Sequence, residues 1–284
     1  MPHVGLVCDS TCDLAPEWLA EHGVRMVPLR VLFGEEAHLD WVDMHPDEFF
    51  ARLASSPVLP TTSQPSPADF ERAYAELAEQ GCDSIVSIHL TAPLSGTFES
   101  ATMAAQTTTL PVDVVDTKLV SQAVGLVVKK AIALRDSGAT AEEIASDCRA
   151  TAAATRLFFV LNTLEYLVKG GRAGKAQGLA ASLLNIKPIL RFNSEGTIEP
   201  FMKVKGTRKA LSELAAHVAK ESRSAGRLRL AILHAASPEL ADELVAALDD
   251  AGADYELDSI GLVGAVIGTY AGPGAVGLAY YPLG

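Results

Sequence analysis

Apolar and polar residues along this chain fall into short blocks whose period switches repeatedly between that of a strand and that of a helix. Residues 4–9 (VGLVCD) form a compact apolar run that leads into Ser10-Thr11-Cys12-Asp13, which predicts a buried strand. A helix follows over 15–22, with Pro16 in its first turn and Gly23 at its end. Residues 25–33 read as extended, Gly34-Glu35-Glu36 as a turn, and 38–42 as a returning strand. Helices are predicted over 47–53 and 68–80, and in the second Phe70, Tyr74 and Leu77 share one face. Residues 84–90 and 112–115 are two more strands, and 121–135 is a helix. Thr140-Ala141-Glu142-Glu143 is a capping box that opens the next one. This alternation argues for a three-layer domain, with a mainly parallel sheet and helices on both faces.

Near residue 150 the pattern shifts. Residues 150–155 are rich in Ala and Thr, and the boundary between two α/β domains, 1–153 and 154–284, is placed there. Beyond it come a strand over 157–161, a short helix after Thr163 that Gly170-Gly171 stops, and a helix over 176–184. Residues 188–192 and 198–204 pair as a hairpin around Ser194-Glu195-Gly196. A helix over 209–222, a strand over 228–234 and a helix begun by Ser237-Pro238 follow. The chain closes with a strand over 265–270, a glycine-rich turn and a strand over 276–281. Turns rather than helices join several of these strands, so the second sheet should be mixed.

Candidate chemistry concentrates at 88–100. The strand ending at Leu90 runs into a hydroxyl-rich turn, Ser95 takes the helix N-cap position, and Gly96-Thr97 opens the helix. The first backbone N–H groups of a helix lack partners and its dipole favours negative charge, so this is a candidate anion site. On this stretch alone, Ser95 acting only as a cap stays open. A second hydroxyl cluster, Thr61-Thr62-Ser63-Gln64-Pro65-Ser66, lies between Pro60 and Pro67 and points to a shared polar patch.

Composition narrows the classes. With 284 residues, 49% of them hydrophobic, the chain can bury a sizeable core. Lys+Arg total 23 against 35 Asp+Glu, a net charge of -12, which argues against general binding to nucleic acid or anionic membranes. The first residues show no basic and apolar leader pattern, and no apolar run is long enough to span a bilayer, so a soluble cytoplasmic protein is expected. The four cysteines read as reduced core thiols. Cys8 and Cys12 have no second Cys or His cluster to complete a metal site, so none is expected.

Several motifs fail on context. Gly272-Pro273-Gly274-Ala275-Val276-Gly277 has the letters of a dinucleotide fingerprint, but a strand follows it and the chain ends at Gly284. Residues 170–176 are one position short of a phosphate-binding loop, with Ala176 where a magnesium-binding hydroxyl belongs. Ser95 lacks the G-x-S-x-G elbow of a hydrolase, and His89 on its apolar strand reads as structural.

Taken in order, these stretches resemble the DegV family of bacterial fatty-acid-binding proteins. The matching segments are residues 7–14, Pro60 to Pro67, Leu94 to Ala101, Thr163 to Arg172, Leu184 to Leu190 and the turn from Gly272 to Gly277. The resemblance implies a two-domain α/β protein that holds one long-chain fatty acid and needs no cofactor and no catalysis of its own. It places the carboxylate on Thr62 and Ser95, with Gly96, Thr97 and Tyr270 in the same site. It also implies a separate ATP-dependent fatty acid kinase that makes acyl phosphate for phospholipid synthesis. Arg172, with Lys205 and Arg208 in the basic stretch Lys203 to Lys209, would face that kinase or the carboxylate. Tyr270 stands where many relatives carry His, Gly174 where a Ser is common, and Lys205 where an Arg is common. A monomer is expected, with no nucleic-acid partner and no membrane span, though transient membrane contact is allowed. The alternative is a Ser95-dependent hydrolase or a sensor of another amphiphilic acid.

Overall fold

The computed structural model describes residues 3–182 and 187–283. The first half runs β1 (Val4–Asp9), α1 (Pro16–Glu21), β2 (Val24–Val27), β3 (Arg30–Phe33), β4 (Glu36–Leu39) and α2 (Pro46–Ser55). It continues with β5 (Thr61–Ser63), α3 (Pro67–Glu79), β6 (Ser84–His89), α4 (Thr97–Ala105) and β7 (Val112–Asp116). Two helices, α5 (Gln122–Asp136) and α6 (Ala141–Ala154), follow. The second half runs β8 (Arg156–Val160), α7 (Glu165–Lys169), β9 (Lys187–Phe192), β10 (Ile198–Val204), α8 (Thr207–Ala225) and β11 (Leu228–His234). It ends with α9 (Pro238–Asp250), β12 (Tyr255–Leu262), α10 (Ala265–Ala271) and β13 (Val276–Pro282).

Three sheets result. One is four-stranded and wholly parallel, in the order β2-β1-β6-β7. Another has six strands, in the order β10-β9-β8-β13-β11-β12, and is antiparallel except for β11 beside β12. The small third sheet, β4-β3-β5, is antiparallel. Helices α3 and α4 cover one face of the parallel sheet, and α8 and α9 cover the outer face of the mixed sheet. Between the sheets lie α5 and α6, which touch strands of both. The apolar run of α5 is therefore buried all round, from Ala123 through Val128, as expected of a helix with no face left for water. One continuous core joins Leu6 and Val86 of the first half to Leu157, Leu190 and Ala279 of the second.

The structure revises several sequence-based expectations. Residues 25–33 are two strands in different sheets, parted at Pro28, because proline cannot donate to a ladder. Residues 255–262, for which the sequence predicts no element, form strand β12. The expected strand over 265–270 is helix α10. Residues 176–182 of the expected helix over 176–184 belong to a tighter 3-10 segment, Gly174–Ser182, and its last two positions lie outside the described residues. Leu184, Asn185 and Ile186 of the family-like motif lie outside them as well.

Candidate functional site

In a parallel sheet, the loops after the strand ends converge on one edge, where the backbone is free to face a ligand. Here the loop after β1 supplies Ser10 to Asp13, the loop after β6 supplies Thr91 to Ser95, and the loop after β7 supplies Thr117 to Ser121. The last two meet β5 and α10 around a cavity of 340 Å³ whose wall is mostly apolar, including Leu90, Leu94, Phe159, Leu161, Leu167 and Leu233, while Ser10 to Asp13 lie outside its lining.

Hydroxyls and one cation gather within that lining. Thr62, Ser95, Arg172 and Tyr270 are each half-buried and all border the cavity. Thr62 Oγ1 and the Tyr270 hydroxyl lie 2.5 Å apart. Ser95 Oγ is 2.8 Å from Thr97 Oγ1, and Thr97 itself is fully buried. The Arg172 guanidinium sits 5.0 Å from the centroid of the Tyr270 ring, a cation–π distance, and donates to the Gly170 carbonyl at 2.8 Å. It pairs with no Asp or Glu among the described residues, so its charge is available to an anionic ligand.

Ser95 is not the helix cap that the sequence predicts. Pro93 starts a 3-10 turn over Ala92–Leu94, Ser95 is extended, and Gly96 takes the N-cap position of α4 without a side-chain cap. Ser95 Oγ accepts a long bond, 3.4 Å, from Thr97 N–H besides its 2.8 Å contact with Thr97 Oγ1. Ser95 thus borders the cavity with its hydroxyl paired to that of Thr97. At Gly96 a Cβ would overlap the side-chain amide of Gln64, which also borders the cavity, so a larger residue would have to displace that exposed side chain.

Helix α10 carries Tyr270 and is held at its other end by buried carboxylates. Asp13 Oδ1 accepts from Gly264 N–H at 2.8 Å, and Asp40 Oδ1 accepts from Ala265 N–H at 2.8 Å. These are the unpaired donors of a helix start, and the carboxyl oxygens satisfy them. Burial pushes the Asp13 carboxyl up to about 8, against the pull of its Ser121, Gly264 and Trp41 donors. It likewise pushes Asp40 up to about 7. Asp13, Trp41 and Ser121 all adopt positive φ, so the loops that meet here hold conformations that non-glycine residues seldom adopt.

His89 is structural, as its strand suggested. It is fully buried, 3.0 Å from Asp9 Oδ2 through Nδ1 and 2.7 Å from Ser87 Oγ through Nε2. Both ring nitrogens are thus engaged, and this His–Asp pair does not serve Ser95. Sequence reasoning missed His234, the last residue of β11, which borders the cavity. Its Nδ1 accepts from Ser237 N–H at 3.3 Å, leaving the proton on Nε2, and burial lowers its pKa. Ser121 is a further lining residue that the sequence does not signal, whereas Ser63 and Gln64 come from the hydroxyl cluster that it does. Lys205 and Arg208 are not at the cavity; both are exposed, and Arg208 Nε lies 3.6 Å from Glu243. Among the described residues no group of three His, Cys, Asp or Glu side chains could hold a metal ion, and no helix is long and apolar enough to cross a membrane.

A parallel and a mixed sheet enclose an apolar cavity bordered by polar groups drawn from distant segments, an arrangement able to receive an amphiphilic small molecule. The family model described as "Uncharacterised protein, DegV family" matches residues 3–283, and the chain belongs to the DegV family. It is 37% identical to a DegV domain-containing protein of Streptomyces coelicolor, over 97% of each chain. It is 33% identical to a fatty acid-binding protein of Thermotoga maritima, over 96% of each. A solved structure from Thermus thermophilus, described as showing fatty acid binding of a DegV family protein, superimposes with a TM-score of 0.93. That match has 35% identity and covers 99% of this chain and 100% of the other.

Proposed function

We propose that this protein binds one long-chain fatty acid, its carboxylate on Thr62 and Ser95 with Tyr270 and Arg172 beside it and its tail along the apolar wall. The observation that carries this reading is the gathering of hydroxyls and an arginine, unpaired with any carboxylate among the described residues, in an otherwise apolar cavity. The chemistry is divided. Burying about fourteen methylenes at about 0.8 kcal/mol each contributes on the order of 11 kcal/mol before the entropy cost of binding. The head group contributes less but fixes orientation, because a buried carboxylate without donors is costly.

The protein holds and presents its ligand without transforming it, as a cytoplasmic monomer that hands the acid to a separate ATP-dependent fatty acid kinase. The exposed Lys205 and Arg208 at the start of α8 suit docking to that partner rather than contact with the carboxylate. Basic residues in a first helical turn oppose the helix dipole, which favours a functional reason for them. Organic extraction of the purified protein followed by mass spectrometry tests the reading. A stoichiometric long-chain acid is expected; an empty protein that also fails to bind added palmitate overturns it.

A further inference from the structure

A second, larger cavity of 750 Å³ lies where the α6 end, the start of β8, the β9–β10 hairpin and the loop after β7 meet. Its character is opposite to the first. Lys118, Arg149, Arg156, Lys175 and Arg191 line it, against Asp116, Glu195 and Glu199. Two residues border both cavities, Leu157 and Phe192.

Strand register separates Leu157 from the start of β13, which follows Tyr270 and the glycine turn. Tyr270 leads through the glycine turn directly into Val276, which stands opposite Val160 on β8. Leu157 stands opposite Ala279, three residues further along, or about 10 Å at the rise of a strand. Phe192 ends β9 opposite Ile198, another residue of the apolar lining, and its ring lies 6.1 Å from that of Phe159. Leu157 is 2% exposed, whereas Phe192 is half-buried. A thin apolar wall thus separates an apolar cavity from a charged cleft.

We propose that Phe192, with Leu157, is the end stop of the ligand cavity and sets the longest acyl chain this protein accepts. The inference rests on the fatty-acid reading above. A methyl terminus meeting the Phe192 ring gains full burial. One that pushed past it would displace the ring and enter a cleft whose charged groups hold water. Affinity therefore climbs with chain length and then drops sharply. An acid carrying a second carboxylate at its far end is rejected, because that charge would be buried against Leu157 and Phe192 without a donor.

The test is a binding series on the full chain with saturated acids from lauric to behenic, and with a long α,ω-dicarboxylic acid as the charged-tail probe. The native protein should show a maximum and a cut-off. Phe192→Ala should lift the cut-off, improving behenate relative to palmitate by about tenfold or more, and should admit the dicarboxylate, whose far end then reaches the Lys118 and Arg156 side of the cleft. Phe192→Trp should move the cut-off to shorter chains, and its opposite direction guards against a simple loss of folding, which circular dichroism also checks. Leu157→Ala should act like Phe192→Ala. Native protein that binds no acid of any length defeats the fatty-acid reading itself. Native protein with a cut-off that none of the three substitutions moves defeats the end stop alone.

Discussion

Thr62 Oγ1 lies 2.5 Å from the hydroxyl of Tyr270, a residue 208 positions away in the chain. One proton lies between the two oxygens, so the proton of the other hydroxyl is free to turn into the cavity. In the proposed function the pair would present one donor to the carboxylate while each hydroxyl positions the other.

Removing the phenol tests that role. Tyr270→Phe loses about one hydrogen bond, on the order of 0.5–1.5 kcal/mol, and should weaken fatty-acid binding by about two- to tenfold in a calorimetric titration. Tyr270→His should retain binding. Because an imidazole can become cationic near neutral pH and a phenol cannot, that variant should equal or exceed the native rate when coupled to a cognate kinase. Binding unmoved by Tyr270→Phe, together with a coupled rate unmoved by Tyr270→His, would leave Tyr270 a packing residue beneath the turn.

Loss of both proposed carboxylate donors should be more severe. Hydrogen bonds to a charged group contribute about 1.5–3 kcal/mol each, so Thr62→Ala with Ser95→Ala should cost well over tenfold in affinity. Both residues are only half-buried, and the thermal midpoint should change little. An unaltered dissociation constant in the double variant would remove these two residues from the head-group site.

Gly170 offers an indirect route to the same phenol. Its backbone is ordinary right-handed helix, φ −74° and ψ −9°, which alanine adopts without strain. A Cβ there would nevertheless lie 2.5 Å from Tyr270 Cδ1, closer than real contacts allow. Gly170→Ala must shift the ring or the end of α7, and so disturb the ring's contacts with Thr62 and Arg172. Binding should weaken at least as much as in Tyr270→Phe; a variant that binds like the native protein would show that the ring has room to move without consequence.

The sequence was most informative where local chemistry decides structure. The Thr140–Glu143 capping box is present as predicted, and so is the hairpin of β9 and β10. It misled where distant groups decide. Val266, Ile267, Thr269 and Tyr270 are strand formers, yet Asp13 and Asp40 cap their segment from the other end of the chain and make it a helix. Ser95 is displaced by one position because Pro93 inserts a 3-10 turn that no periodicity signals. The cavity itself was illegible. Leu157 and Phe159 alternate on β8 in the same way whether they face a core or a ligand, and His234 simply ends an apolar strand.

The buried carboxylates under α10 give a pH dependence of defined sign. In the unfolded chain Asp13 and Asp40 ionise near 3.8, while burial raises them to about 8 and about 7 in the folded state. Between those limits the folded protein binds more protons than the unfolded one. The stability these groups supply is thus fully present below about pH 4 and lost as pH rises through about 7 to 8. Each group bears on stability by at most about 1.4 kcal/mol per pH unit in that window. Asp13 adopts φ 53°, a conformation that asparagine tolerates well, and an asparagine carbonyl can still accept from Gly264. Asp13→Asn therefore removes the titration while keeping the cap. Scanning calorimetry between about pH 5 and about pH 8 should show the variant gaining on the native protein as pH rises. A constant offset across that range would mean that Asp13 stays ionised in the fold, held by its three donors, and that the carboxylates grip α10 as charges rather than as acids.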